Sequence, residues 1–314
     1  MEINSLEIID NKIMPETILV TGATGTVGSE VVKQLVSSSL GKNDIIIKAA
    51  IHSQNRADNF IQYNKSIQTV NVDYNRPETL ADALNQVDRL FLLTLPSPDM
   101  TVYSNLVKEI RKYHDSINHI VKLSSMAAYD EETGFATTIG RIHREEEKII
   151  EESGIPFTFL RPPAFMQNFI TQFGYTIRTQ DAFYVPGGDA KLSFIDARDV
   201  AAVAVKALTG DSQQHTGKSY TITAEEAISY RQAAEILSKE AGRRISYVDI
   251  PEQNALKGMK ESGMHDWLIE AIMEFYSIIK AGHASKTTNV FEQVMSRKAI
   301  SFSQFARDYA QAFK

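Results

Sequence analysis

Residues 17–34 read TILVTGATGTVGSEVVKQ. A short aliphatic run, Ile18, Leu19 and Val20, stops at Thr21, and glycines follow at 22, 25 and 28. Apolar residues then recur at Val27, Val31, Val32, Leu35 and Val36, which is helical spacing. Strand, glycine turn and helix in that order are the context that gives such a glycine pattern meaning. Gly22 permits the tight turn out of the strand. Gly25 lets backbone N–H groups approach a pyrophosphate, and Gly28 lets the helix pack close to the sheet. The helix N-terminus adds unpaired N–H groups and the positive end of its dipole. The stretch predicts a dinucleotide-binding turn, with Gly22, Thr24, Gly25, Thr26, Val27 and Gly28 as contacts.

Outward from that turn, strand-like and helical runs alternate. Strands are predicted at 45–51, 67–72, 89–94, 119–124 and 157–161, with helices at 54–62, 77–85, 101–113 and 138–153. This order implies a doubly wound parallel sheet, an α/β Rossmann-type fold whose ligands sit at the carboxyl ends of the strands. Beyond residue 161 the alternation loosens. Strands are predicted at 182–185, 192–195, 219–222 and 245–250, and helices at 197–208, 230–241, 265–281 and 302–313. The organisation expected is a dinucleotide-binding unit over 15–160 and a smaller, substrate-covering α/β part over 161–314, interleaved with it.

Composition bounds the function. The 314 residues carry 33 Lys and Arg against 39 Asp and Glu, a net charge of −6, with no basic block to bind nucleic acid. There is no cysteine, which excludes disulfides and thiolate chemistry. The seven histidines, at 52, 114, 119, 143, 215, 265 and 283, show no HExxH spacing and predict no metal site. No apolar run approaches the ~20 residues of a membrane span. Residues 1–14 are acidic, unlike a signal peptide, and predict a flexible tail on a cytoplasmic protein. Monomer and homodimer both remain open.

With these elements placed, the chain resembles the atypical short-chain dehydrogenases of the NmrA-like group. The resemblance rests on TGATGTVG at 21–28, LSSMAAY at 123–129, HREEEKIIEESGIPFTFLRPPAFMQN at 143–168 and LSFIDARDVAAVAVKAL at 192–208. The end, RKAISFSQFARDYAQAF at 297–313, is also similar to tails of bacterial members. That group includes NADPH-dependent quinone oxidoreductases, triphenylmethane reductases and NADP-sensing regulators. The resemblance implies fold and cofactor, and leaves the substrate open.

A site for NAD(H) usually carries Asp or Glu at the end of the second strand, to hold the ribose 2′-hydroxyl. Here residues 45–57 read IIIKAAIHSQNRA, without an acid. His52, Ser53 and Arg56 supply donors and positive charge suited to a 2′-phosphate, so NADP(H) is favoured over NAD(H). The resemblance would put Asp73 near the adenine, although it could equally cap the segment that follows. It also implies that Thr94, Leu95 and Pro96 pass over the cofactor, with Ser124 and Ser125 beside the nicotinamide; these serines could instead bond only within their own turn.

Typical short-chain dehydrogenases use Tyr-x-x-x-Lys on the helix after the fifth strand. Aligning the glutamate that follows that lysine with Glu147 puts His143 in the lysine position and Ile139 in the tyrosine position. The dyad is absent, and Tyr129, followed by Thr133, does not disguise it. Candidate catalytic residues are therefore His143, Ser124 and Tyr129. His143 has two open readings: a contact to cofactor ribose or substrate, or a border residue paired with Glu147. Without the dyad, an isolated ketone lacks its proton donor. Hydride transfer to a quinone-like or other conjugated small molecule needs less help and depends mainly on orientation. An apolar pocket for it would draw on Met126, Tyr129, Phe165, Met166, Asn168 and Phe169. Trp267 either closes that pocket or serves as a core or oligomer contact. The rival function is an NADP(H) sensor without turnover, in which Phe165 and Phe169 plug the pocket.

Overall fold

Apolar residues run almost unbroken through the predicted strands, as a parallel sheet covered on both faces requires. The computed structural model describes residues 15–39, 45–52, 67–113, 115–128 and 137–314. The strands of the first half are β1 (Glu16–Val20), β2 (Ile45–Ile51), β3 (Ile67–Asn71), β4 (Arg89–Leu92), β5 (His119–Leu123) and β6 (Phe157–Arg161). Between them run α1 (Thr26–Ser39), α2 (Pro77–Leu84), α3 (Thr101–Arg111) and α4 (Thr138–Glu151). The helix predicted at 54–62 lies outside the described residues.

These six strands and β10 (Lys218–Thr221) form one seven-stranded parallel sheet in the order β10-β6-β5-β4-β1-β2-β3. Strand alternation sends each side chain to one of two cores. Ile18, Val20, Phe91 and Val121 face a core shared with α1 and the alanine-rich α7 (Ala197–Thr209). Leu19, Leu90, Leu92 and Ile120 face the opposite core, under α2, α3 and α4. Each fully buried Val or Leu contributes roughly 1.5–3 kcal/mol against exposure, enough in sum to seat α1 by its apolar stripe.

Progress along the sheet reverses between β1 and β4. That switch point opens a crevice at the carboxyl ends of both strands, where such folds bind ligands. Thr21 closes its floor: its N and Oγ1 donate to Phe91 O, and its Oγ1 accepts from Leu93 N at 2.7 Å. Above it the glycine turn is spatially obligatory at two points. Gly22 has φ +61°, and a Cβ there would meet Leu93 Cδ2 at 2.9 Å. A Cβ on Gly28 would lie 2.1 Å from Gly22 O.

The second half adds β7 (Ala164–Phe165), α5 (Asn168–Thr171), α6 (Gly174–Gln180), β8 (Ala182–Val185), β9 (Lys191–Ile195), β11 (Ala227–Ser229), α8 (Tyr230–Ala241) and β12 (Ser246–Asp249). Then come α9 (Glu252–Glu261), α10 (Asp266–Lys280), α11 (Val290–Met295) and α12 (Phe302–Asp308). Two small sheets, β11-β9-β7 and β12-β8, wrap a third core rich in aromatic rings. The helices at 168–180, 252–261 and 290–295 and the strand β11 were not expected. α5 and β11 are too short to show a period, and α9 buries no residue, so it has no apolar stripe to read. Among the described residues no helix is long and apolar enough to cross a membrane, and no group of three or more His, Asp or Glu could hold a metal.

Two outcomes follow. Gly28→Ala should lower the unfolding free energy by about 2 kcal/mol or more in urea titration, because backbone atoms cannot rotate out of the clash. His119 is fully buried, its Nε2 bonded to Thr158 Oγ1, and burial pushes its imidazole down from 6.5 to about 4. The unfolded chain therefore binds the extra proton first. Stability should fall as pH drops from 6.5 to 4, by up to about 1 kcal/mol per unit from this group, and His119→Asn should flatten that slope.

Candidate active site

The glycine turn leads directly into the N-terminus of α1. Gly25 N donates to Gly22 O at 2.9 Å, and Ser29 N closes the first helical bond to Gly25 O at 3.0 Å. The leading N–H groups of α1 have no intrahelical partner. Gly25, at the cap position, has no side chain to accept from them, and the first turn holds no acid. Gly25 and Thr26 are exposed, Thr24 is half-buried, and Val27 points into the core. His52 is exposed directly beyond β2, while Ser53 and Arg56 lie outside the described residues. Across the crevice Leu95 is 82% exposed, unusual for a leucine, with Pro96 half-buried beside it. Asp73 uses its carboxylate locally, accepting from Asn75 N at 2.9 Å.

Next to this crevice, α4 carries two buried carboxylates. Residues 139, 142, 143, 146, 147 and 150 form its inner stripe, so Glu146 and Glu147 turn inward while Glu145 stays outside. Glu146 Oε1 accepts from Thr94 Oγ1 at 2.8 Å, and its Oε2 meets Lys122 Nζ at 2.7 Å and His143 Nδ1 at 3.0 Å. Lys122 is 0% exposed, and its Nζ also donates to Leu123 O. Burial opposes ionisation of Glu146; the hydrogen bond from His143 and the charge of Lys122 outweigh it and hold the carboxyl below its usual range. Burial lowers the His143 imidazole from its usual range, against the pull of the same carboxylate. Glu147 accepts from Ser124 Oγ at 2.6 Å and from Arg161 at 2.9 and 2.5 Å.

One turn up, Gly140 lets α4 press onto the short 3-10 turn Met126–Ala128: a Cβ there would lie 2.1 Å from Ala127 O. Beyond this contact opens a cavity of about 320 Å³. Ser125, Met126, Ile139, Phe165 and Asn168 form one wall, and Ala271, Ile272, Phe275 and Ile278 of α10 form another. Glu274 ties α10 to the start of α4 by accepting from Thr138 N and Oγ1 at 2.6 and 2.9 Å. Among the described lining residues His283 is the single titratable side chain, and none is Lys, Arg, Asp or Glu.

The predicted residues thus separate into groups. Met126, Ser125, Phe165 and Asn168 meet at the cavity. Ser125 Oγ also accepts from Ala127 N at 3.2 Å, the turn bond foreseen as its alternative. Ser124, Thr94 and His143 join the buried carboxylate network instead, and His143 pairs with Glu146 rather than with Glu147. Met166 and Phe169 do not line the cavity. Phe169 is fully buried, the inward residue of the short helix α5, with ring centroids of Phe302, Phe183 and Phe194 at 5.0, 5.4 and 5.5 Å. Trp267 is half-buried one turn before the α10 residues that close the cavity. Tyr129 lies outside the described residues. Lys122, Glu146, Glu147, Arg161 and the α10 face were not foreseen. A lysine inside the apolar strand HIVKL was the available signal.

Removing one partner of a buried pair leaves the other charge unpaired. Arg161→Met should therefore cost about 3 kcal/mol in chemical denaturation, and adding Glu147→Met should recover much of it.

Comparison with known proteins then adds four matches. The model of the NmrA-like family matches residues 14–308. An NAD(P)H azoreductase of Xenophilus azovorans is 34% identical over 94% of this chain and 99% of its own. A (4-alkanoyl-5-oxo-2,5-dihydrofuran-3-yl)methyl phosphate reductase of Streptomyces griseus is 31% identical over the same shares, 94% and 99%. In structure, triphenylmethane reductase of Citrobacter sp., solved in complex with NADP(H), superposes with a TM-score of 0.76 at 22% identity, over 94% of this chain and 99% of that one.

Proposed function

This chain belongs to the NmrA-like family, and on that premise we propose that it is an NAD(P)H-dependent oxidoreductase, preferring NADPH, which passes hydride to an uncharged conjugated acceptor in the cytoplasm. The observation that carries this reading is an open helix N-terminus beside an apolar cavity, joined by the carboxyl ends of β4 and β5.

The residues present fit a dinucleotide. At Gly25 a Cβ would fill the approach that a pyrophosphate needs, and the leading N–H groups of α1 behind it lack an intrahelical partner. In this reading Gly22, Thr24, Gly25, Thr26, Val27 and Gly28 hold the phosphates, and His52, Ser53 and Arg56 take the 2′-phosphate. Asp73, Leu95 and Pro96 border the adenosine half, and Ser124, Ser125 and His143 the nicotinamide half. A bound nicotinamide supplies the hydride. The protein binds, orients and dries the acceptor: Ile139, Met126 and Phe165 give it flat apolar walls, and α10 covers it.

The acceptor class follows from charge and protons. A charged acceptor would lose its hydration against walls bearing no described opposite charge. Ile139, at the site of the usual tyrosine, cannot protonate an alkoxide. Reduction of a delocalised system needs no such donor, so orientation over the nicotinamide supplies most of the rate. The two reductases among the relatives accord with a conjugated reacting group, an azo compound in one name and an oxo-dihydrofuran in the other, the latter carrying a phosphate ester. The cavity also favours turnover over sensing, since Phe165 forms a wall and Phe169 lies in the core, leaving the space unplugged.

Calorimetric titration should give at least a tenfold preference for NADPH over NADH, about 1.4 kcal/mol. Arg56→Ala should remove that preference, and Gly25→Val should abolish binding while circular dichroism stays unchanged. In steady-state assays NADPH oxidation should proceed with neutral quinones and azo compounds and fail with aliphatic ketones. Efficient ketone reduction would point to an acid at Tyr129. Tight NADPH binding with no acceptor at all would return the protein to the sensing class.

A further inference from the structure

We propose that Lys122 and Glu146 are positioning residues that lock His143 in a single tautomer, Nδ1–H toward Glu146, so that Nε2 faces the crevice as a hydrogen-bond acceptor for a ribose hydroxyl. The inference rests on the dinucleotide reading above and goes beyond it by assigning what the imidazole does and what fixes it.

The geometry is specific. Glu146 receives three donors, one each from Thr94, Lys122 and His143, and Tyr103 OH donates to its backbone oxygen at 3.0 Å. A carboxylate so engaged can only accept, so the His143 nitrogen facing it must donate. In a neutral ring that leaves Nε2 with a lone pair and no hydrogen. The enclosed polar side-chain atoms without partners among the described residues are Arg89 Nε and His119 Nδ1. His143 Nε2 is not among them and has no hydrogen bond to another described residue, so that edge of the ring is the part reaching solvent.

Its position suits a ribose. His143 follows Ile139 by one turn on the same helical face, and Ile139 lines the cavity. On its other side it shares the Glu146 carboxylate with Thr94, which ends β4 at the switch-point crevice. The imidazole thus lies between the acceptor cavity and the glycine turn. The charged groups that face it are Glu146 and Glu147 from its own helix and Lys122 from β5, and these do not favour a cationic ring once burial is included. His143 is therefore an acceptor for a sugar hydroxyl and not the acid that protonates a product. Lys122 is what permits this: it balances Glu146, which keeps the carboxylate ionised without transferring the charge to the ring.

The test begins on the protein without cofactor, labelled with ¹⁵N in its histidine rings. The His143 spectrum should show a neutral Nδ1–H ring from pH 8 to pH 6. Glu146→Gln, which keeps one oxygen to accept from Nδ1, should preserve that tautomer and hold NADPH affinity within about threefold. The apolar pair Lys122→Met/Glu146→Leu removes the lock without stranding a charge. It should mix the tautomers and weaken NADPH about tenfold. His143→Phe should weaken NADPH equally, and adding it to the apolar pair should cost nothing further, since both act through one hydrogen bond. If the apolar pair does not fold, the wild-type and Glu146→Gln spectra carry the test. An Nε2–H or cationic ring at pH 7 would overturn the lock, and additive losses would overturn its action through His143. Wild-type protein that fails to bind NADPH would overturn the dinucleotide reading and the ribose contact, while the ring spectrum alone still decides the lock.

Discussion

Two carboxylates taken out of water on one helix dictate how this protein is put together. Glu146 and Glu147 are 2% and 0% exposed, and a buried carboxylate left unpaired costs several kcal/mol. Their partners come from four separate places: Thr94 after β4, Lys122 in β5, Ser124 after β5 and Arg161 at the end of β6. Apolar contacts alone would let α4 slide or rotate with little change in buried area. Directional bonds to three adjacent strands remove that freedom. The helix is pinned in depth, rotation and register, and whatever it carries at its first turn is pinned with it.

What it carries is the boundary between two ligand spaces. Ile139 looks into the cavity and His143 toward the crevice, one turn apart. Gly140 allows the approach to the turn at Met126–Ala128 that makes the cavity wall continuous. Glu274 reaches across from α10 to satisfy the start of the same helix at Thr138, where a side chain of Thr137 already caps Gly140 N at 2.8 Å. The C-terminal part is thereby tied to the sheet at the point where it covers the acceptor. This arrangement favours orientation over acid–base chemistry: the buried titratable groups near the cofactor space bond to one another, and the acceptor space is left apolar.

Legibility differed sharply between the two halves of the site. The glycine turn is local, since its spacing, its strand and its helix lie within eighteen residues of one another. The strands at 45–51, 89–94, 119–124 and 157–161 stand within two residues of the structure, because burial on both faces forces long apolar runs. Phe169 could be read as pocket or as core, because an aromatic residue after a strand looks the same whether it faces a cavity or a core. Ring contacts to Phe183 on β8, Phe194 on β9 and Phe302 on α12 decide the matter. Glu145, Glu146 and Glu147 are consecutive in the sequence. Their helical phase separates them, but only the presence of Lys122 and Arg161 on neighbouring strands makes the inward pair tolerable.

The sequence by itself determined the sheet, the phosphate-type turn and the absence of a Tyr-x-x-x-Lys pair, all of which depend on residue identity and short spacing. Tertiary structure alone decided that His143 pairs with Glu146, that Lys122 pairs with the same carboxylate, and that Ala271, Ile272, Phe275 and Ile278 of α10, rather than Trp267 on the same helix, line the cavity. The last two join residues from separate elements, and the His143–Glu146 pair, though within α4, depends on the partners that the carboxylate finds after β4 and on β5. Their existence depends on which buried charges find partners when the chain packs, and no local pattern encodes that.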